Sequence, residues 1–148
     1  MESKIKIKRF YEELGKLLYA VALGNQRVRE VEVIKLREFV SDELADLNPM
    51  YDSSGMKYAF YTIFEFKDCI ENHLSFEEAR DSFMNFLSEN IDYLDLSLIE
   101  KIIIGIEKIE NAYKKKSKKE KEIIEKIKLE IHEIFKFRLN NTEEILFV

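Results

Sequence analysis

The residues of this chain that could do chemistry are few and set apart from one another. His132-Glu133-Ile134-Phe135-Lys136 opens like the zinc-binding helix HExxH, in which two histidines one turn apart hold the metal and the glutamate activates water. Lys136 stands where the second ligand is needed. Neither His73, three residues after Ile70, nor His132, three after Leu129, completes the Glu-x-x-His pattern of di-iron bundles. Cys69 has no Cys or His near it in sequence and reads as a small buried hydrophobe rather than a nucleophile. Gly15, Gly24, Gly55 and Gly105 are too scattered to cradle a phosphate. No enzyme is expected from this inventory, and no cofactor.

Two other groupings have a functional and a structural reading. The run Lys114–Glu122, KKKSKKEKE, holds six of the 24 basic residues, and Lys114, Lys115, Lys116, Lys118 and Lys119 make a candidate patch for an anion or an acidic partner. The same run suits a solvated corner between two helices. The aromatic stretch Tyr58–Phe66, YAFYTIFEF, suits a ligand cavity or, at helical spacing, a bundle core.

The elements that must carry these residues are helical. Phe10, Leu14, Leu17, Leu18 and Val21 lie on one face of a helix over 7–23, and Val33, Leu36, Val40, Leu44 and Leu47 repeat the pattern over 28–47 until Asn48-Pro49 stops it. Met50–Gly55, MYDSSG, is a loop. By propensity YAFYTIFEF could be a strand, but no second strand is available to pair with it, so it is expected as a helix through the middle of the bundle. Ser75, Ser97 and Ser117 each stand three residues before a glutamate, the capping-box spacing that starts a helix. Those helices turn Ala79, Phe83, Phe86 and Leu87 inward, then Ile99, Ile102, Ile103, Ile106 and Ile109, then Ile123, Ile127, Ile131, Ile134 and Phe135. Asn140-Asn141 is expected to end the last helix. A short tail over 138–148 then either folds back or is offered to a partner.

An all-α, compact bundle of about six helices in one domain over 1–148 is therefore expected. Four glycines and one proline are too few for the turns of a sheet protein. With 29 acids against 24 bases the surface is mildly acidic, which disfavours nucleic acid as a partner. One cysteine fits a reducing compartment, and no signal peptide follows Met1. The longest aliphatic run, Ile102–Ile106, falls far short of the ~20 residues of a membrane span. A cytoplasmic protein is expected.

The first helical pair, FYEELGKLLYAVALGNQRVREVEVIKLREFV over Phe10–Val40, resembles the TerB-like family named for tellurite-resistance proteins. In that family a helix with an apolar-alanine end meets a turn of the type Ala-Asp-Gly-x-Val-Ser-x-x-Glu before the next helix. Val28 takes the valine of the turn and Glu32 its closing acid, while Asn25, Gln26 and Arg29 stand at the aspartate, glycine and serine. The resemblance implies an all-helical fold and a divalent-cation site at the aspartate and glutamate positions, here Asn25 and Glu32. A hard cation needs anionic oxygens, so this copy of the site is degraded.

It also implies an internal second copy at Asn90–Glu100, NIDYLDLSLIE, where Leu96, Ser97 and Glu100 take the valine, serine and glutamate. Asp92, Asp95 and Glu100 are the candidate metal ligands there. The resemblance leads to a non-enzymatic, stress-response protein-interaction domain as the expected function. The alternatives are a divalent-cation-binding regulatory domain and a homodimer scaffold joined through the last helix.

Overall fold

Leu14, Leu17, Leu18 and Val21 recur with the helical period, and Ala20 and Ala22 fill the spaces between them, so this segment is apolar on nearly every side. In the computed structural model it belongs to α1 (Glu2–Leu23), the helix around which the others gather. From Phe10 to Ala22 only Glu12 and Lys16 reach water to any extent. The structure describes residues 2–24, 27–47, 50–94 and 96–146, with side chains for 6–24, 27–47, 50–92, 94 and 96–136.

Five further helices follow: α2 (Glu30–Phe39), α3 (Tyr61–Glu71), α4 (Phe76–Asn90), α5 (Leu96–Ala112) and α6 (Lys118–Leu146). A π-helical turn over Val40–Leu44 extends α2, and 3-10 turns at Tyr58–Phe60 and Ile91–Tyr93 precede α3 and follow α4. No strand occurs among the described residues, and Tyr51 and Lys57 form a single antiparallel bridge. The expected all-α bundle of six helices is the observed one. No helix among the described residues is long and apolar enough to cross a membrane.

Helix α1 is covered by α3, α4 and α5, with each contact set by small or hydrogen-bonding residues. At Gly15 the α3 backbone comes so close that a Cβ would stand 2.5 Å from the Thr62 carbonyl oxygen. Thr62 fastens the same contact by donating its hydroxyl to the Tyr11 carbonyl at 2.9 Å. Tyr19 Oη donates to the Leu74 carbonyl at 2.6 Å and ties α1 to the turn between α3 and α4. On the α4 side, buried Glu13 accepts hydrogen bonds from Ser82 Oγ at 2.8 Å and Lys16 Nζ at 3.2 Å.

Several boundaries differ from the sequence expectation for physical reasons. YAFYTIFEF is helical after its first 3-10 turn, but α3 does not run through the middle: Ala59, Thr62, Phe66 and Cys69 are buried while Phe64 is 43% exposed. Glu65, Lys67 and Asp68 interrupt its apolar surface, so one face must stay wet, whereas α1 has no such interruption between Leu17 and Ala22. Regular helix in α2 ends at Phe39 rather than Leu47, and the wider π turn keeps Val40, Leu44 and Ala45 all buried.

Asn48-Pro49 lies outside the described residues. The Ser75 and Ser117 hydroxyls accept the Glu78 and Glu120 amides at 3.1 Å as caps should. Ser97 instead lies inside α5, one residue past Leu96. Helix α6 buries Ile124, Ile127 and Ile131, with Ile123 and Ile134 only partly covered. It also passes through Asn140-Asn141 to Leu146, because asparagine lowers helix propensity by less than about 1 kcal/mol per residue. The tail expected over 138–148 is therefore helical in backbone to Leu146, its side chains and residues 147–148 lying outside the description.

Among the described residues, one core group is left without a hydrogen-bond partner. Tyr11 is fully buried, its Oη has none, and burial pushes its phenol up to about 12. A buried polar group that makes no bond lowers stability without return. Tyr11→Phe is therefore expected to raise the free energy of unfolding in urea by up to about 1 kcal/mol. Gly15→Ala is expected to lower it by about 1–3 kcal/mol through the clash with Thr62. A Tyr11→Phe protein less stable than wild type would show that the hydroxyl is bonded after all.

Candidate functional site

The corner between α1 and α2 is closed by charge. Gly24 ends α1 with φ +53°, a left-handed conformation suited to glycine, and a Cβ there would lie 3.4 Å from the Glu120 carboxylate. Arg29 reaches the same carboxylate in a two-pronged pair, Nη1 to Oε2 at 3.2 Å and Nη2 to Oε1 at 3.3 Å, and its guanidinium lies 3.7 Å from the Tyr113 ring centroid. Behind it Glu32, with no exposed surface, accepts the Arg29 backbone N–H at 2.8 Å through Oε1 and the Lys116 ammonium at 3.0 Å through Oε2. Glu32 thus supplies half of a capping box for α2; an arginine side chain has no acceptor to supply the other half.

Glu120 belongs to the start of α6, accepting the Ser117 amide at 3.4 Å while its own amide donates to Ser117 Oγ. Arg29, Glu32, Tyr113, Lys116 and Glu120 together join the 24–32 corner to the α5–α6 corner. Burial alone would raise the Glu120 carboxyl, but hydrogen bonds from Arg29 and Ser117 and the charges of Arg29 and Lys116 outweigh it and hold the group below its ordinary value. Glu32 moves the other way: burial pushes it up more than the Arg29 amide and Lys116 pull it down.

This arrangement does not suit a divalent cation. Both Glu32 oxygens are engaged, and two cationic side chains occupy the space a metal would need. Asn25, the other family position, lies outside the described residues. Of the second-copy ligands, Asp92 and Glu100 are exposed and Asp95 lies outside the description. The described residues contain no group of three or more His, Cys, Asp or Glu able to hold a metal.

Lys116 is 7% exposed and paired with Glu32, which takes it out of the lysine patch, while Lys114, Lys115, Lys118 and Lys119 are exposed. His73 and His132 are both exposed, and His73 takes a left-handed φ of 51° at the end of α3. Cys69 is buried, and burial pushes its thiol up to about 12, leaving it protonated and inert at neutral pH.

An apolar opening of the surface lies elsewhere. Between α5 and α6 runs an open groove of about 440 Å³ floored by Ile99, Ile103, Ile104, Ile131 and Phe135, with Glu100, Glu107 and His132 at its mouth. A second hollow across α5 shares Ile104 and Glu107 with it and runs on to Lys35, Lys108 and Lys114. Glu100, Glu107, Lys108 and Lys114 take part in no salt bridge among the described residues. The sequence marked Ile103 as core and Lys114 as part of a basic run, and the family resemblance implied Glu100 as a metal ligand. It held no signal that they share one face with Phe135 and Lys108. No family model matches the chain, and neither a curated protein nor a solved structure matches it.

Removing one partner of a buried ion pair strands the other. Lys116→Met is therefore expected to lower stability by about 3–5 kcal/mol in urea denaturation. Adding Glu32→Gln to Lys116→Met should recover most of that loss, and an equal or greater loss in the double variant would contradict the pairing. Because the folded Glu120 pKa lies below its ordinary 4.5, the stability this group adds is present above that value and is lost as pH falls through the folded pKa. The stability difference between wild type and Glu120→Gln should accordingly shrink as pH is lowered from 6 to 3 in calorimetric melts. A gap that stays constant would remove Glu120 from the acid response.

Proposed function

We propose that the chain is a TerB-like helical domain that catalyses no reaction and works in the cytoplasm by binding another protein, as part of a stress-response or membrane-associated assembly. The observation that carries the reading is the α5–α6 groove, an apolar floor with carboxylates at its mouth that form no salt bridge among the described residues. Soluble domains seldom leave such a floor open unless something docks on it. The isoleucines provide the area that drives association, and Glu100 and Glu107 discriminate among partners by charge.

The α1–α2 corner supports the same reading from the other side. Where the family resemblance implies a cation site, this chain has an internal ion-pair cluster whose task is to hold α2 against the α5–α6 corner. That clamps one end of α5, and a face carried on a fixed helix binds with less ordering cost.

Ile103 is only partly buried, so Ile103→Asp should leave the fold intact as read by circular dichroism while placing a charge in the groove floor. In proximity labelling with the full chain in its native host, the variant is expected to lose at least about 10-fold of the labelling of one or more proteins seen with wild type. Matching profiles for the two proteins would overturn the docking role of the groove.

A further inference from the structure

We infer that the occupant of the α5 face is a second copy of this chain, its own α5 lying antiparallel across the first about a two-fold axis at Ile104. The inference rests on the reading of that face as a docking surface and names the partner from the order of charges along it.

Glu100, Ile104 and Lys108 follow one another at four-residue steps on the outward side of α5, and such residues form a ridge on a helix surface. Glu100 and Lys108 are exposed and Ile104 is half-buried; neither charge has a salt-bridge partner among the described residues, although Lys108 is close enough to Glu43 to help lower its carboxyl. A two-fold axis at Ile104 brings each residue opposite the one equally far on the other side of it. Glu100, four residues before the axis, then meets Lys108 of the second copy, four residues after it, and symmetry makes that pair twice.

Ile104 packs on its own image, while Ile103, about 100° further round the helix, stays in the floor of its own copy's groove beside the contact. Parallel packing would set Glu100 against Glu100 and Lys108 against Lys108, so the charge order itself selects the antiparallel arrangement. The formal net charge of −5 works against indiscriminate self-association, which leaves this locally complementary face as the place where two copies attract.

The test is sedimentation equilibrium of the full chain as wild type, Glu100→Lys, Lys108→Glu and the double variant, with thermal melts to confirm that all four are folded. Each single reversal turns two attractive contacts into repulsive ones and is expected to weaken the dimer by about 10-fold or more. The double variant, with the charges exchanged, is expected to return to within about 3-fold of wild type. Ile104→Glu, which sets like charges together on the axis, is expected to give monomer.

Three results would overturn the inference: a wild type still monomeric near 1 mM, a dimer indifferent to both reversals, or a double variant no better than its parents. A monomeric wild type removes only the second copy as occupant and leaves the groove to another protein. Equal labelling of wild type and Ile103→Asp, self-labelling included, together with a monomeric wild type removes the docking surface itself.

Discussion

Between Phe10 and Ala22, α1 has almost no side that can face water, and the rest of the molecule is arranged to meet that constraint. A helix apolar all round must be enclosed by other elements. Helices α3, α4 and α5 do this from three directions, α3 most closely because Gly15 lets its backbone approach. Exposing that segment would forfeit roughly 1.5–3 kcal/mol for each large side chain, so the enclosing helices have little freedom to sit elsewhere. The polar bonds on α1, from Thr62, Tyr19 and Ser82, add direction to an attraction that has none of its own.

A second, smaller constraint acts at the far end of α1. The two carboxylates of Glu32 and Glu120 and the two cations of Arg29 and Lys116 are nearly removed from water, and each is held in place by the others. Such a cluster adds little net stability, since desolvation offsets most of the attraction. It gives position instead. The corner between α1 and α2 has one place relative to the start of α6, and the α5 face is presented on a fixed frame.

Much of the fold was legible in the residues because helices are local. The 3.6-residue period named Leu14, Phe83, Ile102 and Ile127 as core, and Ser75 and Ser117 marked true helix starts, because a cap and its amide lie within one turn. Legibility failed where a choice was made by distant neighbours. YAFYTIFEF and the α1 segment are both rich in apolar residues, and which of them lies at the centre depends on what packs against each. Ser97 has the capping spacing yet falls inside its helix. The candidate surfaces were less legible still: Lys116 looked like one more solvated lysine and is a buried partner of Glu32, 84 residues away in sequence.

The sequence by itself determined that this chain is helical and where most of its helices run, and it marked Glu32 and Glu100 as acids worth watching. The helices follow from side-chain period and from hydrogen bonds that close within a turn, and the two acids were marked by the resemblance to a family. Only the tertiary structure decided that Glu32 faces a lysine and that Glu100 stands at the mouth of an apolar groove. Both depend on which helices meet and at what rotation about their axes. That is set by the enclosure of α1 and the close approach at Gly15, contacts between residues far apart in the chain.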